Sequence, residues 1–205
     1  MLLESGAPLD ALRAFAERNP GLPDIRLVKY ALAVRLAREE RYRESAELYR
    51  SIHAYRRAQR MQQLANLSQA LDRPGITAER KLEARYALAA FIAANPDGIY
   101  FNDALWFRMQ RYALRADEDS RLTGAERHEL KEGERTLKDS QEERWRAYLI
   151  LNEVARDAGT SRLGRRAATL ALTCLRRIST DRFGREEEIR SADNQLSQWL
   201  LHAAK

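Results

Sequence analysis

Ala11-Leu12-Arg13-Ala14-Phe15-Ala16-Glu17-Arg18-Asn19-Pro20 recurs as Ala87-Leu88-Ala89-Ala90-Phe91-Ile92-Ala93-Ala94-Asn95-Pro96, with six of the ten positions identical. The copies stand 76 residues apart, or two units of 38. Their apolar residues return at helical spacing, which gathers them on one face. Asn-Pro then stops each helix, because proline lacks an amide hydrogen and its ring clashes with the turn before it. Self-similarity at such an offset marks a chain of stacked helix hairpins, none of which buries its apolar face alone. Phe15 and Phe91 are therefore expected at equivalent inward sites.

The composition around this repeat leaves no room for a sheet. Of 205 residues, 32 are Ala and 28 are Leu, whereas Val, Ile and Thr together number 18. Straight-chain helix formers dominate and the β-branched residues that pack well on a pleated surface are scarce. Nine Gly and five Pro supply few of the turns an all-β chain needs. An all-α fold of about 8–10 helices follows. The whole chain, 1–205, reads as one helical repeat domain with a sub-boundary near 116–122, where the sequence turns polar and acidic. A fragment of a longer protein would read the same way.

Caps and periodicity place the helices. They are expected at about 8–18, from Pro23-Asp24 to about Glu39, and from Tyr42 with Ala46, Tyr49 and Ile52 on one face. A break near His53-Ala54 is left open, and helical pattern resumes over Tyr55 to Leu71. Asp72-Arg73-Pro74-Gly75 is a turn, after which Thr77 caps a helix through Ala94. The stretch Asp97 to Phe101 has neither helical period nor loop polarity, and Asn102 or Asp103 opens a helix to about Leu114. Thr123-Gly124-Ala125-Glu126 has the capping-box arrangement for a charged helix to about Lys138. Trp145, Tyr148, Leu149, Leu151, Asn152 and Val154 surround the core stripe of a helix ended by Gly159. Two more helices run over about 162–178 and 186–202.

Leu32-Ala33, Leu36, Tyr42, Ser45 and Tyr49 stand at the spacing of the small and large packing positions of a tetratricopeptide repeat. Ala84, Leu88 and Pro96 match the alanine, the aromatic position and the closing proline of its second helix, and Trp145, Tyr148 and Leu149 are placed to open another unit. On these residues the chain resembles a tetratricopeptide-repeat protein over about two-thirds of its length. Lys29 stands where that repeat prefers tryptophan and Glu40 where it prefers glycine. The resemblance implies a right-handed α-solenoid of antiparallel helix hairpins. Its groove would hold a peptide or a partner helix, the work of a scaffold or adaptor.

Charge refines that expectation. The formal net charge is +6, and 31 of the 36 basic residues are Arg. If the 38-residue phase holds, the second helix and the helix from Asp103 line the groove. Their non-core faces carry Lys29 and Tyr30, and Arg108, Arg111 and Tyr112. Arg forks beside tyrosines suit an acidic peptide or one ending in a free carboxylate. Leu48 to Leu71 and Ala158 to Thr180 contain no acidic residue, and Arg56, Arg57, Arg60, Arg162, Arg165 and Arg166 form a candidate basic patch. The alternative partner is thus nucleic acid or another phosphate-bearing molecule. Surface ion pairing and helix-dipole contacts are the favoured account of such arginines. The aromatic run Tyr100, Phe101, Trp106 and Phe107 either lines a peptide pocket or plugs two hairpins of unequal length, and the plug is favoured because large aromatics dominate cores.

Nothing in the sequence assembles an enzyme, and no cofactor or metal is expected. The lone cysteine, Cys174, sits in an apolar helix pattern with no histidine placed to activate it. His128 and Glu132 are four apart but lack the second histidine of a zinc-binding helix. Asp117-Glu118-Asp119 is followed by Leu122 and His128 where a calcium loop requires glycine and glutamate. Phosphate-cradling and dinucleotide-binding glycine motifs are missing. The mean hydropathy is −0.61 and no apolar run is long enough to cross a bilayer. With Met1 as the native start the reading is cytoplasmic, and otherwise the compartment is open. The expected partner is another protein or an acidic peptide, and the oligomeric state is not legible.

Overall fold

The structure is a computed structural model that describes Leu3 and residues 7–96, 98–106, 123–178 and 185–203. The described residues are helical, with no strand among them: α1 (Leu9–Arg18), α2 (Ile25–Arg38), α3 (Tyr42–Ser51), α4 (Tyr55–Leu71), α5 (Ala78–Ala94), α6 (Asp103–Trp106), α7 (Gly124–Gln141), α8 (Glu143–Ala158), α9 (Arg162–Arg176) and α10 (Glu186–Ala203). They fall into two compact units. The first is built from Met1–Gln62 and Asp97–Gln141, the second from Gln63–Pro96 and Glu142–Lys205. The division falls inside α4, and each unit holds one copy of the repeated decapeptide. The boundary expected near 116–122 lies outside the described residues.

The decapeptide does not bury what its sequence suggests. Leu12 and Ala16 are buried in one copy and Leu88 and Ile92 in the other, so the core face runs through this four-residue spacing. Phe15 is 42% exposed, and Phe91 is only half-buried. Each phenylalanine lies one position, or about 100° of helical rotation, from the buried stripe. What the copies share is the way they end. Asn19 and Asn95 adopt nearly the same backbone, with φ −126° and ψ 52° in one and φ −121° and ψ 51° in the other. In both, the Asn Nδ2 donates to the phenylalanine carbonyl four residues back, at 2.8 Å. At Asn95 the side-chain amide thereby satisfies a carbonyl that the helix end would orphan, whereas at Asn19 it joins the backbone amide, which also donates to Phe15 O, at 3.2 Å.

In the first unit α2 packs on α1 and on α3. Leu12, Ala16, Val28, Leu32 and Leu36 form an apolar cluster against which Leu3, Leu9, Ile25 and Leu48 pack. The α2–α3 crossing is close because Ala33, Ala37, Ser45 and Ala46 are small and fully buried, and the Ser45 hydroxyl donates to the Ala33 carbonyl at 2.7 Å. The turns after α2 and after α3 are Schellman motifs built without glycine. At the end of α2, Glu40 has φ +62°, its amide donates to Ala37 O at 3.0 Å, and the Arg41 amide donates to Leu36 O at 2.9 Å. At the end of α3, His53 has φ +59°, with His53 N to Arg50 O at 3.0 Å and Ala54 N to Tyr49 O at 2.8 Å. These paired bonds satisfy the last carbonyls and reverse the chain. The break at His53-Ala54 is therefore a capped helix end.

In the second unit α8 packs on α5 and α9, and α9 on α10. Side chains capable of accepting a hydrogen bond start three of its helices: Thr77 Oγ1 from Arg80 N at 3.3 Å, Glu142 Oε1 from Arg144 N at 3.2 Å, and Ser161 Oγ from Gly164 N at 3.1 Å. The α8–α9 core is rich in alanine, with Ala147, Ala167, Ala168 and Ala171 fully buried beside Leu151, Val154 and Leu175. Leu149, expected near this stripe, is instead 45% exposed. Ion pairs stitch the helices from outside. Arg85 meets Glu153 and Asp157 on α8, and Arg176 holds Asp193 on α10 through two bonds of 2.7 and 3.1 Å. The Arg176 hydrogen bond holds the Asp193 carboxyl below its ordinary range.

Candidate functional site

The first unit encloses a polar and aromatic cluster where α2, α3 and the start of α4 receive the non-helical segment 98–102. Ile99, Tyr100, Phe101 and Asn102 are all buried, so Tyr100 and Phe101 plug the helices rather than line an open pocket. The segment is held by its backbone as much as by its side chains. Arg38 Nε on α2 donates to the Tyr100 carbonyl at 2.9 Å, and Arg57 Nη1 on α4 reaches the Phe101 carbonyl at 3.3 Å. The Tyr42 and Tyr100 hydroxyls share a bond of 2.9 Å.

At the end of the segment Arg57 Nη2 pairs with Asp103 Oδ1 at 2.9 Å, and the Tyr30 hydroxyl donates to the same oxygen. The Arg57 guanidinium carbon lies 5.7 Å from the centre of the Tyr30 ring, a cation–π contact, and Tyr49 meets that ring edge-on at 5.1 Å. Burial pushes the Tyr49 phenol up to about 12 and raises that of Tyr30 as well. Both tyrosines therefore stay neutral, and Tyr30 acts as a donor. A buried guanidinium needs a carboxylate, since removing one partner of such a pair costs about 3–5 kcal/mol.

Of the groove residues expected from the sequence, Tyr30 is in this cluster and engaged by the chain's own Asp103. Lys29 is half-buried on α2. Arg108, Arg111 and Tyr112 lie outside the described residues, as does Phe107, and of Trp106 only the backbone is described. The candidate basic patch is not a single surface. Arg57, 8% exposed, is part of the buried cluster, while Arg56 is exposed and Arg60 half-buried. Arg162, Arg165 and Arg166 are all exposed on α9. Two of them turn back on the protein: Arg165 donates to Thr160 O at 2.9 Å and Ala203 O at 3.5 Å, and Arg166 lies 4.8 Å from the Tyr86 ring centre.

The role of Arg57 carried a signal in the sequence. Arg57, Met61 and Leu64 follow helical spacing, and the last two are fully buried, so Arg57 occupies a core position of α4. A charge there needs a partner, and the acid-free stretch from Leu48 to Leu71 means the partner comes from elsewhere in the chain. Periodicity does not say that it is Asp103.

In the second unit a cleft of about 230 Å³ runs between α8 and α10, with Tyr148, Asn152, Arg156, Gln195 and Trp199 on its walls. Among the described residues no three His, Cys, Asp or Glu side chains come together to hold a metal ion, and His128 and Glu132 are exposed. No described helix is long and apolar enough to cross a membrane. Cys174 is buried, and burial raises its thiol to about 11. A thiol reagent at mildly alkaline pH should therefore label Cys174 only when the protein unfolds. Labelling of the native protein as fast as of the denatured chain would contradict this.

The chain matches no family model, no curated protein and no solved structure.

Proposed function

We propose that the chain is a non-enzymatic interaction module, a right-handed tetratricopeptide-like solenoid of helix hairpins that binds an extended acidic peptide of a partner protein. One observation carries the reading. Helices α2, α3 and α4 already hold a non-helical stretch of backbone, with Arg38 and Arg57 donating to its carbonyls, the Tyr42 hydroxyl bonded to that of Tyr100, and Arg57 and Tyr30 closing on the carboxylate that follows. These are the contacts a helical groove would make to an acidic peptide from another chain, because main-chain carbonyls are common to every sequence and the carboxylate supplies register. The nucleic-acid reading has weaker support, since Arg57 is buried and Arg165 and Arg166 are turned toward the protein itself.

The test is an array of short peptides, each made with a free C-terminal carboxylate and as its amide, probed with the full chain at low salt. Peptides that pair neighbouring apolar residues with a carboxylate should be retained and their neutral counterparts released. An array that retains nothing, or retains peptides regardless of charge, removes the reading. Binding to a single-stranded oligonucleotide that falls steeply with salt would favour the phosphate-binding alternative instead.

A further inference from the structure

We propose that Arg57 and Tyr30 form a carboxylate-binding site for an incoming polypeptide, with Asp103 as its internal stand-in. The proposal rests on the interaction-module reading and names the chemistry that such a partner must present.

The two partners of the ion pair differ sharply in burial. The Arg57 side chain is 9% exposed, whereas that of its partner Asp103 is 54% exposed. The cation is fixed in the protein and the anion stands at the mouth of the cluster. An acid in that position can exchange with another without unseating Ile99, Tyr100 or Phe101, which are buried further along the segment. Asp103 opens α6, so the exchange would release the start of that helix.

The donors also select their ligand. Arg57 Nη2 and the Tyr30 hydroxyl converge on one oxygen, Asp103 Oδ1, while Arg57 Nη1 is committed to the Phe101 carbonyl. A neutral amide in place of the carboxylate would take away the charge that Asp103 brings to the buried guanidinium, so a charged ligand is favoured. The Tyr30 ring beside the guanidinium fixes its position, and a guanidinium held in place recognises a carboxylate better than a mobile ammonium would. A free C-terminus and an Asp or Glu side chain present the same group, so the ligand class is a carboxylate at the end or within an extended peptide.

Removing Asp103 empties the site and makes it measurable in the full chain. Asp103→Ala should melt lower than wild type, and sodium acetate should restore its melting temperature saturably, whereas sodium chloride at equal ionic strength should not. Wild type should show no such response. Adding Tyr30→Phe should weaken the acetate effect roughly tenfold, the loss expected for one hydrogen bond to a charged group. Two acetylated tripeptides then separate the sources: Gly-Asp-Gly amide offers only a side-chain carboxylate and Gly-Gly-Asn only a terminal one. Stabilisation of Asp103→Ala by either, and not by neutral Gly-Asn-Gly amide, supports the proposal and identifies the source. If acetate and both peptides act no better than chloride, or if Tyr30→Phe leaves the acetate effect unchanged, the proposal is overturned. Should Asp103→Ala not fold alone, the same titration is read as regained helical circular dichroism. Regain supports the site, and its absence overturns it. Because these probes are small, acetate rescue alongside an empty peptide array would keep the site and discard the interaction-module reading. A productive array with no acetate rescue would do the reverse.

Discussion

Gly164→Ala should destabilise the protein by about 3 kcal/mol or more, although helix propensity alone predicts a gain of about 1 kcal/mol at a position inside α9. A Cβ built on Gly164 would lie inside contact distance of the Gly159 carbonyl oxygen, 3.0 Å from its carbonyl carbon and 3.3 Å from the Ala155 carbonyl oxygen. Every one of these atoms is backbone, so no side chain can swing aside to make room. Gly159 is itself constrained, because it ends α8 at φ +56° and ψ −143°, a conformation that side chains other than hydrogen disfavour. The α8–α9 turn thus depends on a glycine pair, one to reverse the chain and one to receive it. Urea denaturation of Gly164→Ala, followed by circular dichroism, measures the balance. Wild-type or greater stability would mean that α9 does not approach the turn as described.

This requirement was invisible in the sequence, where Gly164 reads as an ordinary weak point in a helix. Most helix limits were legible, because they are set by local chemistry. Thr77, Gly159 and the two Asn-Pro pairs act within four residues of themselves, and the helices end or begin at them. The hairpin at Glu40 was harder to read, since its positive φ falls on a residue with a Cβ, and the break at His53 was ambiguous for the same reason. What local chemistry cannot encode is which distant groups meet. Arg57 and Phe101 are 44 positions apart and Tyr30 and Asp103 are 73 apart, separations at which no periodic pattern carries information. The sequence suggests Tyr30 for a groove and Arg57 for a basic patch, while their joint engagement by Asp103 emerges only from the tertiary structure. Segment 98–102 lies between these cases. Its missing helical period was plain, and its aromatic character favoured the plug that the burial of Tyr100 and Phe101 bears out.

The repeated decapeptide gives the sharpest contrast between what identity suggests and what packing uses. Ile92 is 1% exposed on α5, so Ile92→Ala should cost about 2–5 kcal/mol, the range for truncating a branched core side chain where the neighbours close the gap only in part. Phe15, the larger residue, is 42% exposed, and Phe15→Ala should change stability by under about 1 kcal/mol despite removing more carbon. The order of the two effects is the test, because residue size and identity between the copies would both rank Phe15 as the costlier loss. Paired denaturant titrations of the two variants decide it. A Phe15→Ala variant that loses as much as Ile92→Ala would return the phenylalanines to the core and make the repeat one of packing. The expected order leaves it a repeat of helix endings, in which the phenylalanine contributes its carbonyl to an asparagine cap and the leucine four residues before Ala16 or Ile92 contributes the buried face.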